Sequence, residues 1–314
     1  LKVRRPTDEE IALMKKGAIV VAVMDPYDNA EAIGKLAEAG LSAFAMELIP
    51  RITRAQSMDV LSSQANLAGY QAVVDAAEVY DRAIPMMMTA AGTVPAAKVF
   101  VMGAGVAGLQ AAATARRLGA AVSATDVRPA AKEQVESVGA KFVAVEDEEF
   151  KQAETAGGYA KEMSDEYKKK QAELVADHIT KQDIVITTAL IPGRPAPRLV
   201  SRDMLAAMKP GAVVVDLAVE RGGNVEGSVA GEVTDVEGVR VIGYRNVPGR
   251  IAASASLLYA KNLSTFVETC LVDKESKQLK PNFEDEIVTA TLLTKDGAIV
   301  HPNFAPKAAE AKEA

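Results

Sequence analysis

The stretch best suited to holding an anionic ligand is Gly103-Ala104-Gly105-Val106-Ala107-Gly108. Between a strand and a helix, a G-x-G-x-x-G run serves a dinucleotide. Gly103 permits the tight turn, Gly105 lets the backbone approach a pyrophosphate, and Gly108 lets helix and strand pack closely. The free N–H groups and dipole at the helix start, from Val106 onward, favour the phosphates. A purely structural glycine turn is the alternative. Asp126 ends the next apolar run, about 20 residues beyond the glycines, where a carboxylate accepts ribose hydroxyls and repels a 2′-phosphate. This predicts NAD(H) rather than NADP(H). Two other readings stand beside it: a strand-end Asp that caps the following helix, and Arg128, which can serve a 2′-phosphate.

Other polar positions fall at ends of apolar runs. Asp216 precedes Leu-Ala-Val-Glu, and Thr187–Leu190 precedes the turn Ile-Pro-Gly-Arg-Pro. Carboxyl ends of parallel strands are where ligands bind, so both are expected to line a cofactor cleft, unless they are plain loops. Arg51–Gln64 is polar and precedes a long helical run. Arg51, Gln56, Asp59 and Ser62 have the chemistry to hold a carboxamide or a phosphate in an interdomain cleft. Taken alone, the stretch is slightly better explained by capping, with Asp59 or Ser62 starting the helix.

These residues need strands and helices to position them. The apolar runs 17–23 and 41–46, with a helical stretch 29–38 between them, form one β-α-β unit. Leu1-Lys2-Val3 reads as a further strand already under way. A helix over 62–80 leads to breakers at Pro85 and Gly92–Pro95. Beyond them, strands are expected at 99–102, 121–125, 142–145, 183–188, 212–216 and 239–243, with crossover helices between most of them. The predicted fold class is α/β: two Rossmann-like, doubly wound parallel-sheet domains joined by long helices. The expected domains are 1–61 plus 272–314, then 85–245 for the nucleotide, with linking helices over 62–84 and 246–271. Glu154–Lys170, charged and carrying Gly157-Gly158-Tyr159, exceeds a normal crossover loop. It is either a solvated surface excursion or a mobile functional segment. The Ala/Lys/Glu-rich end, 305–314, is expected to fray or lead to a partner chain.

Composition narrows the classes. With 314 residues, nearly half apolar, the chain is long enough for two cores. A net charge of −6 with scattered Lys and Arg argues against a nucleic-acid partner. The single cysteine, Cys270, cannot form an intrachain disulfide, and neither it nor His178 and His301 has the spacing of a zinc site, so no metal is expected. No apolar run approaches membrane-spanning length. There is no signal peptide.

Several segments together resemble one family. Pro50-Arg-Ile-Thr-Arg-Ala-Gln-Ser-Met-Asp59, Leu61–Tyr70, Pro85–Pro95, Ala124–Arg128, Ala153–Met163 and Thr187–Gly193 are similar to the NAD(H)-binding component of proton-translocating transhydrogenase. The resemblance covers essentially the whole chain. It departs at the start, where the family carries several tens of residues more, so the first domain is expected to be incomplete at its N-terminus. It implies that NAD(H) binds here, that NADP(H) binds on a second component, and that hydride passes directly between the two nicotinamides. Membrane-embedded proton-channel subunits couple this to proton movement. It implies a homodimer, peripheral on the cytoplasmic face of the inner membrane through its partner subunits. Carried over by position, Arg51, Gln56, Asp59 and Ser62 hold the nicotinamide end. Gly103, Gly105, Val106 and Gly108 form the pyrophosphate turn, and Asp126, Val127 and Arg128 meet the adenosine ribose. Gly158 and Tyr159 lie on a loop that closes over nucleotide, and Gln171 and Leu190 are further contacts. The rival readings are an alanine-dehydrogenase-like enzyme and a non-catalytic NAD-binding module. The first needs a lysine and a histidine where this sequence has Arg4 and Asp25.

Overall fold

The computed structural model describes residues 1–151 and 163–305. The chain divides into two units, Leu1–Gln64 with Ala253–Ala314, and Ala65–Ala252.

The first unit is built on strands β1 (Ile19–Ala22), β2 (Ser42–Ala45), β12 (Leu292–Lys295) and β13 (Ala298–Ile299), in that spatial order. A short helix α1 (Asp8–Ala12), started by a capping box between Thr7 and Glu10, precedes them. β1 and β2 run parallel around the crossover helix α2 (Ala30–Glu38), as the β-α-β reading expects. β12 and β13 add antiparallel to β2 and to each other, so this sheet is mixed. The alternation along β1 and β2 sends Val21 and Phe44 to one face and Val20, Ala22, Ala43 and Ala45 to the other. Helix α9 (Ala252–Phe266) brings Tyr259, Leu263 and Phe266 to the first face, where Phe266 meets Phe44 edge-on at 5.7 Å. Helix α10 (Glu286–Thr291) adds Ile287 and Val288 to the same core. Ile33 and Leu36 of α2 cover the second face. Leu1–Val3 forms no strand of its own. The chain start follows β1 only as far as one parallel bridge, Arg4 to Val23.

The second unit holds a seven-stranded sheet. In chain order its strands are β5 (Lys98–Met102), β6 (Ala121–Thr125), β7 (Lys141–Phe142), β8 (Ile184–Thr187), β9 (Val213–Asp216), β10 (Val233–Val236) and β11 (Val239–Ile242). Their spatial order is β10-β11-β9-β8-β5-β6-β7. All neighbours are parallel except β10, which turns back on β11 through Glu237 and Gly238, both at positive φ. The six parallel strands follow the doubly wound order of dinucleotide-binding folds, with the order reversing between β5 and β8. Both faces are buried, and the strands say so residue by residue. Val99, Val101, Ile184, Ile186, Val213 and Val215 enter one core, while Phe100, Met102, Val185 and Val214 enter the other. Helices α3 (Val60–Val79), α4 (Val106–Arg117) and α5 (Ala131–Ser137) supply the first core, joined by Phe150 of the single turn α6 (Glu148–Lys151). α7 (Asp165–Ile179) and α8 (Arg202–Ala206) supply the second.

Two segments differ from the sequence reading. The expected excursion over Glu154–Lys170 is helical from Asp165, because Ser164 caps α7 by accepting the Tyr167 N–H, at 3.1 Å. Residues 85–95, read as breakers, include an antiparallel hairpin of β3 (Met87–Thr89) and β4 (Gly92–Val94). Among the described residues no helix is long and apolar enough to cross a membrane, and no cluster of His, Cys, Asp or Glu is arranged to hold a metal.

Candidate functional site

The carboxyl ends of β5, β6 and β8 bring together most of the second unit's predicted residues. β5 runs into Gly103 at φ +108°, and α4 begins after Gly105. The three glycines of the motif are there for different reasons. A Cβ on Gly108 would lie 1.8 Å from the Gly103 carbonyl oxygen, so only glycine lets α4 start this close to the strand end. Gly103 needs its positive φ, and a Cβ there would sit 2.5 Å from Thr188 Oγ1. Gly105 has φ −74° and nothing within 4 Å of the position its Cβ would take. Neither strain nor packing within the protein requires glycine at 105. What its bare backbone offers is access for a group from outside.

That access leads to the start of α4, whose first-turn N–H groups have no side-chain cap. A helix start with uncapped donors and an open approach fits a pyrophosphate. Gly69 of α3 packs against the same turn, where a Cβ would come within 2.0 Å of the Ala107 carbonyl oxygen, and so holds α4 in place. Val106, Val127 and Leu190 are exposed apolar residues at the ends of these three neighbouring strands.

Asp126 follows β6 and is nearly buried, its side chain 8% exposed. Its carboxylate accepts the Ala104 N–H at 2.7 Å and the Arg128 N–H at 2.9 Å. The Arg128 side chain closes a bidentate pair on it, Nε to Oδ1 at 2.9 Å and Nη2 to Oδ2 at 3.0 Å. Burial by itself would raise the carboxyl pKa; the guanidinium and the two backbone donors outweigh it and hold the group below the usual carboxylate range. Gln171 of α7 braces the end of the same strand, donating to Thr125 Oγ1 at 3.2 Å and accepting the Val145 N–H at 2.8 Å.

Asp216 does not line this edge. It is 1% exposed and turned inward, accepting the N–H groups of Ala218 (2.9 Å), Asn224 (3.1 Å) and Val225 (3.2 Å). Gly222 and Gly223, both at positive φ, bend the chain so that those donors converge. The fully buried Asn224 in turn holds Ala189 from both sides, accepting its N–H at 3.1 Å and donating to its carbonyl at 2.9 Å. Thr188 donates to the Gly103 carbonyl at 3.1 Å, so the loop after β8 is tied to the glycine turn. Sequence reasoning missed Asn224 and the inward role of Asp216; the signal was the Gly-Gly pair ahead of the asparagine.

Arg51, Gln56, Asp59 and Ser62 belong to the first unit. There a short 3₁₀ segment, Thr53–Met58, is pinned by buried Ala55 and Met58. Arg54 locks it with a two-pronged pair to Asp285 at 2.7 and 3.0 Å, and Asn262 donates to the Ser57 carbonyl at 2.8 Å. Asp59 starts α3, accepting the N–H and hydroxyl of Ser62 at 2.9 and 2.5 Å, as the capping reading expects. Arg51 and Gln56 are exposed on this braced loop. Gly158 and Tyr159 lie outside the described residues.

Comparison with known proteins agrees with this arrangement. Residues 1–68 match the family described as alanine dehydrogenase/PNT, N-terminal domain, and residues 72–302 match its C-terminal domain, so the chain belongs to the alanine dehydrogenase/PNT family. Within that family it goes with the transhydrogenases. It is 57% identical over 306 residues to the first of the two-piece alpha-subunit chains of NAD(P) transhydrogenase from Rhodospirillum rubrum, covering 96% of this chain and 79% of that protein. A transhydrogenase structure from Sinorhizobium meliloti superimposes with a TM-score of 0.86 at 71% identity, covering 96% of this chain and 80% of that one. An L-alanine dehydrogenase structure shares the fold, with a TM-score of 0.74 at 23% identity over 97% of this chain and 78% of that one.

Proposed function

We propose that this chain is the NAD(H)-binding component of a proton-translocating NAD(P)+ transhydrogenase, working with a separate NADP(H)-binding component and membrane-embedded proton-channel subunits. On this reading it is a homodimer held on the cytoplasmic face of the inner membrane by those partners. The observation that carries the reading is the open approach at Gly105 to an uncapped helix start, with a strand-end carboxylate on the adjacent strand. Together they fit a pyrophosphate and an adenosine ribose.

Hydride transfer is the chemistry of the nicotinamides themselves. The protein's part is to bind, orient and exclude water. The N–H groups of α4 and the bare backbone at Gly105 receive the pyrophosphate. Asp126 receives the ribose. Arg51 and Gln56, exposed on a loop fixed by Arg54, Asn262 and two buried anchors, hold the nicotinamide end, and Asp59 with Ser62 fixes the start of α3 beside them. Gly158 and Tyr159 complete the set.

The test is reduction of an NAD analogue by NADPH when the chain is mixed with a purified NADP(H)-binding transhydrogenase component. Turnover that requires both proteins is expected; turnover of alanine and NAD+ by the chain alone would overturn the assignment. Gln56→Asn should slow hydride transfer more than it weakens NADH binding, because it displaces the ring without removing the phosphate contacts. Equal loss in both would remove Gln56 from that role.

A further inference from the structure

We propose that Arg128 is a 2′-phosphate-binding arm masked by Asp126. On this view the site selects a dinucleotide with a free 2′-hydroxyl because one carboxylate occupies its phosphate-binding group, not because it lacks one. The inference rests on the reading that the glycine turn and Asp126 hold a dinucleotide.

The argument starts from a count of donors. An ionised carboxylate offers about four lone-pair positions. On Asp126 all four are taken, two by the backbone N–H groups of Ala104 and Arg128 and two by Nε and Nη2 of Arg128. The backbone donors are fixed, one by the glycine turn and one by the chain just after β6. A ribose brings two hydroxyl donors, and the positions it can take are the two held by the movable guanidinium. Binding is therefore an exchange: the ribose diol replaces the Arg128 side chain, which is already one-third exposed. The displaced guanidinium starts out in contact with the group that receives the ribose, so it stays within a side chain's reach of the 2′-position.

Removing the carboxylate leaves a different donor set. The Ala104 N–H, the Arg128 N–H and the whole guanidinium then lack an acceptor, and the pair's neutral charge becomes +1. Convergent backbone N–H groups with an arginine are what binds a phosphate. With Asp126 present, a 2′-phosphate meets an anion whose ionised form Arg128 itself stabilises. The two residues are thus one device, in which Asp126 both receives the hydroxyls and cancels the arginine that would receive a phosphate.

The experiment measures dissociation constants of the full chain for NADH and NADPH, and for 5′-AMP and 2′,5′-ADP, which carry the adenosine end alone. The variants are Asp126→Ala, Asp126→Asn and the double variant Asp126→Ala/Arg128→Ala. Unsubstituted protein should bind NADH and discriminate against NADPH. Asp126→Ala should weaken NADH about tenfold or more and tighten NADPH and 2′,5′-ADP at least tenfold, with a gain that fades as salt is raised. The double variant should lose the gain while holding NADH near the single variant's value. Asp126→Asn keeps the shape of the side chain and gives the same reading if the alanine variant folds poorly. NADPH affinity unchanged in both single variants, or a gain that survives loss of Arg128, overturns the masked-arm proposal and leaves NADH binding standing. Failure of the unsubstituted chain to bind NADH removes the underlying reading first.

Discussion

Asp126 and Asp216 stand at the carboxyl ends of two strands of one sheet, and the chain uses them in opposite ways. Asp216 is satisfied entirely by backbone N–H groups from the loop it organises, and it is sealed from solvent. Asp126 draws half its donors from a side chain that can leave. A carboxylate whose donors are all backbone is committed to holding the chain. One whose donors include a mobile arginine can trade them for a ligand. Position at a strand end is thus not enough to mark a binding residue; the identity of the donors decides.

Substitutions can break this contrast. Asp216→Ala should have the largest effect, since it orphans three buried backbone donors at a cost of about 1–3 kcal/mol each. Thermal unfolding should show a drop of roughly 10 °C, at about 2–4 °C per kcal/mol for a unit of this size. A drop of a degree or two would mean that the loop finds other acceptors and the contrast fails. Gly108→Ala follows, because its Cβ would overlap the Gly103 carbonyl, with a cost of about 1–3 kcal/mol or more. Asp126→Ala should weaken NADH by about 1–3 kcal/mol, the scale of charge-assisted bonds, and lower stability less than Asp216→Ala does. If calorimetry found the two variants equally destabilised, the division between structural and exchangeable carboxylates would be lost. Gly105→Ala sharpens the same point within the motif. Its stability should change by no more than about 0.5 kcal/mol while NADH affinity falls, since the space its Cβ takes is open.

The smallest expected effect is of pH. The Asp126 carboxyl is held below its ordinary 3.8 when folded. Its contribution to stability is complete above that unfolded value and is lost as pH falls through the lower folded one. NADH affinity should therefore be flat in this group from pH 8 down to pH 5. A titration of the dissociation constant with a midpoint inside that window would assign the ribose contact to another residue.

The sequence spoke most clearly where burial is on both faces. Val99–Met102, Ile184–Thr187 and Val213–Asp216 are continuous apolar runs because neighbours cover them above and below, and the glycine turn between β5 and α4 is recognisable by its flanks. The antiparallel additions were silent. β10, β12 and β13 are short, and β10 and β13 are partly solvated; their turns place Glu237 and Asp296 at positive φ beside a glycine, a weak mark in a sequence read for crossovers. The site divided along the same line. Gly103, Gly108 and Asp126 sit where local pattern puts them. Asp216 turned inward, because convergence of N–H groups from residues 218, 224 and 225 is a property of a folded loop and not of spacing.

The first unit closes its sheet across almost the whole chain. Thr294 of β12 donates its hydroxyl to the Leu41 carbonyl at 2.8 Å and accepts the Ala43 N–H at 3.2 Å. During synthesis β1 and β2 must therefore wait, with one edge unpaired, until all of Ala65–Ala252 has left the ribosome. The contiguous second unit can collapse on its own residues in the meantime. The usual order of domain folding along a nascent chain is reversed: the piece made first is finished last. Limited proteolysis of stalled nascent chains should find the second unit protected while Leu1–Gln64 is still cut, and protection of both together would show that the early strands need no late partner.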